Sequence, residues 1–279
     1  MSGLRGRLAP TPTGLLHVGH AQTFALAAAR AGSAGLVMRI EDLDGPRCRP
    51  EFAAATLEDL RWLGLAWTEG PDVGGPHGPY RQSERTAWYL EIWRRLEAAG
   101  AIYPSPHSRR DVDEAATAPH EAAADAEPVF PASLRPARRD RASAPGGVAW
   151  RFRVPDGRAI EFDDALQGRV RRTAGVDFGD FVVWRRDDLA AYELAVVADD
   201  HAMEIAEVVR GVDLLTSTAR QILLCEALGW QPPAWCHAPL VCDAAGRRLA
   251  KRAGGLAIRE LRAAGRSPAD VLMWRPESG

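Results

Sequence analysis

Residues 4–44 are LRGRLAPTPTGLLHVGHAQTFALAAARAGSAGLVMRIEDLD, and the order of elements they encode sets the fold class. Residues 4–9 suit a short strand, and Pro10-Thr11-Pro12-Thr13-Gly14 is turn chemistry. The alanine-rich stretch 20–31, closed by Gly32, predicts a helix. Residues 35–40 (GLVMRI) form a mostly apolar run of the kind buried in a parallel sheet, and they deliver Glu41-Asp42-Leu43-Asp44 at its carboxyl end. Strand, turn, helix, strand is the opening of an α/β fold, whose ligands bind beyond the carboxyl ends of the strands.

Two helices are expected next, over 51–63 and 84–99, the second capped by Ser83 and ended by Gly100. From 104 to 147 the chain is rich in Pro, Ala, Arg and Asp without periodicity, which predicts loop-rich structure. Residues 148–154 alternate strictly, Asp156-Gly157 is a hairpin turn, and 159–162 offers the return strand. Stretches 178–184 and 192–198 read as strands, 208–210 ends another, and Thr216 or Ser217 caps a helix running to Leu228. The expected organisation is a first catalytic half over 1–102, an inserted β-containing subdomain over 103–175 and a second half over 176–279.

At 279 residues with 46% apolar and 26% charged side chains, the chain has the composition of a globular protein with a sizeable core. No apolar run approaches the ~18 residues of a membrane span, and no secretory leader is visible, so a cytoplasmic protein with no membrane partner is expected. The four cysteines never form CxxC and read as reduced thiols. With 35 basic and 37 acidic residues, net charge −2, any nucleic acid must be held by local patches. Lysine occurs once, as Lys251 in a Gly/Ala-flanked loop, where a flexible point charge suits a phosphate clamp.

His17-Val18-Gly19-His20 falls where the first helix begins. Unpaired N–H groups and the dipole at such an end favour phosphate, and two imidazoles one turn apart can donate to one phosphate chain. Gly19 between them would let an adenine ring approach the backbone. Two surface histidines, or metal ligands on a helix, are the alternatives. Glu41 suits an ammonium group, and Arg7 and Arg210 can each fork a carboxylate, which together make an amino-acid-sized clamp. Ordinary salt bridging is the alternative for those arginines. Residues 247–252 (RRLAKR) form a short basic run. Arginine clusters at 135–141 and 169–172 are candidate RNA contacts, with a solvated surface as the alternative.

Taken in order, RLAPTPTGLLHVGHAQTFALAAARA, RIEDLDGPR, YRQSER, DDLAAYELAVVADDH, EVVRGVDLLTSTARQILL and RRLAKR, spread over residues 7–252, resemble the catalytic domains of class I glutamyl-tRNA synthetases. The resemblance implies a Rossmann-like class I aminoacyl-tRNA synthetase domain with an inserted subdomain. HVGH is similar to the family's HIGH element and RLAKR to a degenerate KMSKS, so His17, His20 and Lys251 are implied as catalytic. It places Arg7, Ala9, Thr11, Glu41, Tyr192 and Arg210 around glutamate, and His17, Gly19, His20, Asp213 and Lys251 around ATP, which would bring Mg²⁺. About 27 residues follow Arg252, too few for the helical anticodon-binding region of full-length relatives. The expected likeness is therefore to the short members, which activate L-glutamate without tRNA and transfer it to the queuosine of the tRNA(Asp) anticodon stem-loop, and a monomer is expected.

Two departures stand out. Where relatives hold zinc, the matching positions are Ser105, His107, Phe130 and Leu134; the thiolates are gone, His107 and His120 make a poor site, and zinc is not expected. In the KMSKS-like loop Arg248 and Ala250 replace lysine and serine, which bears on loop closure. A small-molecule nucleotidyltransferase and a non-catalytic RNA-binding paralogue are the competing readings.

Overall fold

The computed structural model describes residues 3–108, 111, 129–136, 141–242 and 257–274. In chain order these are β1 (Gly6–Leu8), α1 (Val18–Ala31), β2 (Leu36–Met38), α2 (Pro50–Trp62), α3 (Thr86–Ala98), β3 (Ile102–Ser105), β4 (Ala149–Phe152), β5 (Ala159–Asp164), β6 (Gly168–Thr173), β7 (Phe181–Trp184), α4 (Tyr192–Ala202), β8 (Glu207–Gly211), α5 (Leu215–Leu228), β9 (Ala234–Ala238), α6 (Ile258–Ala263) and α7 (Pro268–Leu272). β1 and β2 pair in parallel, with Arg7 opposite Val37. β8 and β9 also pair in parallel, and the Arg5 carbonyl accepts from the N–H groups of Ala206 and Glu207 at 2.8 and 3.1 Å, tying β8 to the β1 end of the molecule. The remaining strands form an antiparallel β3-β4-β7 sheet and a β5–β6 hairpin attached to β9.

α1 buries the stripe Val18, Ala21, Phe24, Ala27 and Ala31 in a cluster with Leu8, Met38 and Val209. Alanines allow that close approach, and Gly32, at φ 52°, ends the helix where an L side chain would be strained. A second cluster fills the space between α3, α4, α5 and the β3-β4-β7 sheet, with Trp93 meeting Trp150 edge-on at 4.8 Å. Among the described residues no helix is long and apolar enough to cross a membrane.

Several expectations need correction. Residues 192–198 belong to helix α4, not a strand. Every side chain from Glu193 to Asp200 is buried, so the run carries no amphipathic alternation to mark its period. Asp156-Gly157 does not close a hairpin of 148–154 with 159–162: β4 pairs with β3 and β7, while β5 turns back on β6 through residues 165–167. β5 also meets β9 at Asp164 and Trp235. Ser83 does not cap α3. Its N–H and hydroxyl both bind Asp42, at 2.8 Å each, and Arg85 holds the cap position. Leu214 precedes α5, leaving Thr216 and Ser217 inside its first turn.

The two halves meet over a buried charge network. Arg39, 0% exposed, lies just beyond β2 and donates to Asp200 on α4 at 2.7 Å and to Glu41 at 2.9 Å, with Asp199 3.8 Å away. Asp199 also accepts from Arg85, Tyr89 and Gln82 at 2.6, 2.8 and 2.9 Å. Removing one partner of a buried ion cluster strands the others without compensation. Arg39→Met is expected to cost about 3–5 kcal/mol in urea denaturation; an unchanged midpoint would show that the acids do not depend on this guanidinium.

Candidate active site

The strand ends converge as the parallel pattern requires. Ala9 follows β1, Glu41 follows β2, Arg210 and Gly211 close β8, and Pro239, Leu240 and Val241 follow β9. Together with His17, Gly19, His20, Thr23 and Phe24 from α1, Tyr192 from α4, and Asp213 and Leu214 ahead of α5, they line a cavity of about 210 Å³ with Arg7 in its wall.

At one end of the cavity, His17 caps α1. Its Nδ1 accepts from the Gly19 N–H at 3.2 Å, and the His20 Nδ1 accepts from the His17 N–H at 3.3 Å. A neutral ring that accepts at Nδ1 carries its proton on Nε2, so both imidazoles are set as Nε2 donors. The rings lie 3.8 Å apart. A Cβ on Gly19 would come within 3.2 Å of the His17 ring and 3.6 Å of Val241, so the glycine keeps this floor open. Gly211 is tighter still, because a Cβ there would run into the Asp213 carboxylate and stand 3.2 Å from Leu240.

The opposite end is charged. Burial pushes the Glu41 carboxyl up, against the pull of Arg39 and Arg7. Arg7 donates to the Val209 carbonyl at 2.8 Å and lies 3.7 Å from Asp200, while its buried Nε has no hydrogen-bond partner among the described residues. Arg210 donates to Thr218 at 2.7 Å and stands 3.5 Å from the Tyr192 hydroxyl. Although Tyr192 is 41% exposed through the open cavity, the surrounding walls push its phenol up to about 12, so the hydroxyl keeps its proton.

Of the residues singled out from sequence, Arg7, Ala9, His17, Gly19, His20, Glu41, Tyr192, Arg210 and Asp213 share this cavity. Thr11 is exposed and does not line it. Lys251 and the rest of RRLAKR lie outside the described residues, although Val241 lines the cavity and Ala257 bridges to His17 on the segment's two flanks. Sequence reading missed the roles of Arg39, Asp200, Thr218 and His237 behind the wall. The buried charges within RIED and ADDH were the available sign.

The candidate RNA contacts fare differently. Arg135 is engaged by Asp180, with two bonds of 2.7 Å, and by Asp156, so it cross-links the fold and is not open to a phosphate. Arg138 and Arg139 lie outside the described residues. Arg169, 59% exposed, pairs with Glu161 and Asp163 on the neighbouring strand at 2.9 and 3.1 Å. The zinc-equivalent positions carry one imidazole and no thiolate. Phe130 packs with Tyr103 and Leu134 beneath the Arg151 guanidinium, and Ser105 accepts from Arg151 at 3.3 Å, a donor set that does not fit tetrahedral zinc. His120 lies outside the described residues.

The family model for tRNA synthetases class I (E and Q), catalytic domain, matches residues 3–273, and the chain belongs to that family. A relative from Symbiobacterium thermophilum, named glutamyl-Q tRNA(Asp) synthetase, is 48% identical over 96% of this chain and 84% of its own length. Another of that name, from Nitratidesulfovibrio vulgaris, is 46% identical over the same shares. A solved glutamate tRNA ligase from Elizabethkingia meningosepticum, in complex with its amino acid, superposes with a TM-score of 0.73 at 29% identity. That match covers 94% of this chain, which spans about half, 53%, of the solved protein. The class I catalytic fold thus accounts for the parallel strand ends around HVGH.

Gly211→Ala is expected to keep the fold, since φ here is −71°, and to weaken ATP binding at least about tenfold by forcing Asp213 and Leu240 into the cavity, the scale of one lost charge-assisted hydrogen bond. Calorimetric titration with ATP checks this; wild-type affinity would mean that the nucleotide does not use this wall.

Proposed function

We propose that the chain activates L-glutamate with ATP, without tRNA, and transfers it to the queuosine at the wobble position of tRNA(Asp). The observation that carries the amino-acid part is the charge arrangement at the Glu41 end of the cavity. Arg7 and Arg210 line this end of the cavity with Glu41, two guanidiniums and one carboxylate. Two cations and one anion complement glutamate, which carries two carboxylates and one ammonium. Glutamine would leave one of the cations uncompensated in a partly desolvated site.

Glu41 receives the ammonium group, and Arg7 and Arg210 hold the carboxylates. The α-carboxylate oxygen then attacks the α-phosphorus of ATP in line, and pyrophosphate leaves. The Nε2–H groups of His17 and His20 and the α1 N-terminus stabilise charge on the phosphates, with Lys251 supplying a further cation. In the second step a queuosine cyclopentene hydroxyl attacks the adenylate carbonyl and AMP departs. Positioning and charge do this work, so no covalent enzyme intermediate is required. The division into two catalytic halves around residues 103–175, with that insertion facing the RNA, a monomeric state and a cytoplasmic setting belong to the same reading. Mg²⁺ would enter with ATP as part of the substrate.

Pyrophosphate exchange should require glutamate and proceed without RNA, and labelled glutamate should attach to tRNA(Asp) only when it carries queuosine. Glutamate-independent exchange, or equal labelling with and without the modified base, contradicts the proposal. Glu41→Gln should raise the glutamate KM about 10- to 100-fold, the scale of losing a hydrogen bond between charged groups. Because burial raises the Glu41 pKa and the ammonium needs the ionised form, glutamate affinity should fall as pH drops. The fall should begin at higher pH than an ordinary carboxylate would give, and a KM profile from pH 8 downward that stays flat until below the ordinary carboxylate range, as about 4.3 for glutamate, would exclude the role.

A further inference from the structure

Behind the amino-acid end of the cavity, a buried chain of polar groups joins β5, β8, α5 and β9. Arg210 Nε donates to His237 Nε2 at 3.2 Å, and Arg210 Nη2 donates to Thr218 Oγ1 at 2.7 Å. A guanidinium has no lone pair to offer, so His237 Nε2 must carry one, and the ring proton belongs on Nδ1. There the Asp164 carboxylate lies 2.6 Å away. Asp164 is itself fixed at the bend of the β5–β6 hairpin by the backbone N–H groups of Leu166, Gln167 and His237, at 3.0, 2.9 and 3.1 Å. Although burial opposes it, these bonds hold the Asp164 carboxyl below its ordinary value, while burial holds the His237 imidazole below its own. His237 is 0% exposed and does not line the cavity.

Resting on the glutamate-activating reading above, we propose that His237 is a positioning residue for amino-acid recognition. Fixed as the Nδ1–H tautomer by Asp164, it accepts from Arg210 Nε and leaves Nη1, beside the Tyr192 hydroxyl, for the substrate carboxylate. The imidazole has a second effect. It stands between the Arg210 guanidinium and the Asp164 carboxylate, which would otherwise compete with the substrate for that guanidinium. The hairpin thereby reaches the recognition site through one ring, without touching substrate.

Two isosteric changes separate the two sides of the ring. In His237→Asn the amide takes the Nδ1 position, keeps the Asp164 contact and loses the acceptor for Arg210. In His237→Gln the amide oxygen reaches the Nε2 position and restores that acceptor. With glutamate-dependent exchange as the assay, His237→Asn should raise the glutamate KM about tenfold, the scale of one hydrogen bond to a charged group, with the ATP KM and Tm near wild type. His237→Gln should recover most of the loss. A wild-type glutamate KM in His237→Asn overturns the proposal, as do equal losses in both variants that extend to the ATP KM and Tm. Should the wild-type chain show no glutamate-dependent exchange, the functional reading fails by itself, and the positioning is then read by NMR. The Arg210 Nε–H cross-peak, assigned by its loss in Arg210→Lys, should move in His237→Asn and stay near wild type in His237→Gln; a peak indifferent to both contradicts the positioning.

Discussion

The guanidinium of Arg39 must find its compensation entirely inside the protein, and that constraint organises the site. Desolvating an ion of this size costs several kcal/mol, recovered only where carboxylates approach with good geometry. Glu41 and Asp200 do so at 2.9 and 2.7 Å, and Asp199 stands 3.8 Å away. Glu41 follows β2 and the two aspartates belong to α4, so the ion cluster locks the end of the parallel pair against a helix more than 150 positions later. Replacing such a cluster with apolar side chains would serve stability as well or better. What it supplies is location: Glu41 is held at the cavity surface with its charge partly satisfied from behind and its remaining capacity facing inward.

The rest of the cavity follows the same logic of support from behind. Arg7 is braced by the Val209 carbonyl and Asp200, Arg210 by Thr218 and His237, and the His17 and His20 rings by the N–H groups of Gly19 and His17. Cavity-lining groups are therefore fixed by the fold itself, the arrangement by which electrostatic stabilisation avoids reorganisation cost during a reaction. Small residues shape the remainder, since side chains at Gly19 or Gly211 would intrude on His17 or Asp213.

What the sequence disclosed and what it concealed divide along physical lines. β1, α1 and β2 were legible because turn residues, alanine content and an apolar run sit within 35 consecutive positions, and Arg7, His17, His20 and Glu41 were legible with them. Helix α4 was misread because burial on every side erased its period. Ser83 and Ser217 look like caps, yet their hydroxyls serve Asp42 and Glu193, a tertiary demand that no local pattern announces. The Arg39–Asp200 bond joins residues 161 positions apart and Asp164–His237 joins residues 73 apart, so neither pairing could be read locally. Arg135 looked like an exposed cluster member but is a cross-link, because its acids, Asp156 and Asp180, come from different loops.

If the Arg39-centred network presents Glu41, Arg7 and Arg210 as one receptor for an acidic amino acid beside a phosphate site at HVGH, a crystal structure with glutamate and a non-hydrolysable ATP analogue will show it. The amino acid's ammonium should lie within hydrogen-bond reach of Glu41, its carboxylates on Arg7 and Arg210, and the α-phosphate next to His17 and His20. Glutamate bound away from this cavity, or turned so that no carboxylate meets either arginine, would contradict it.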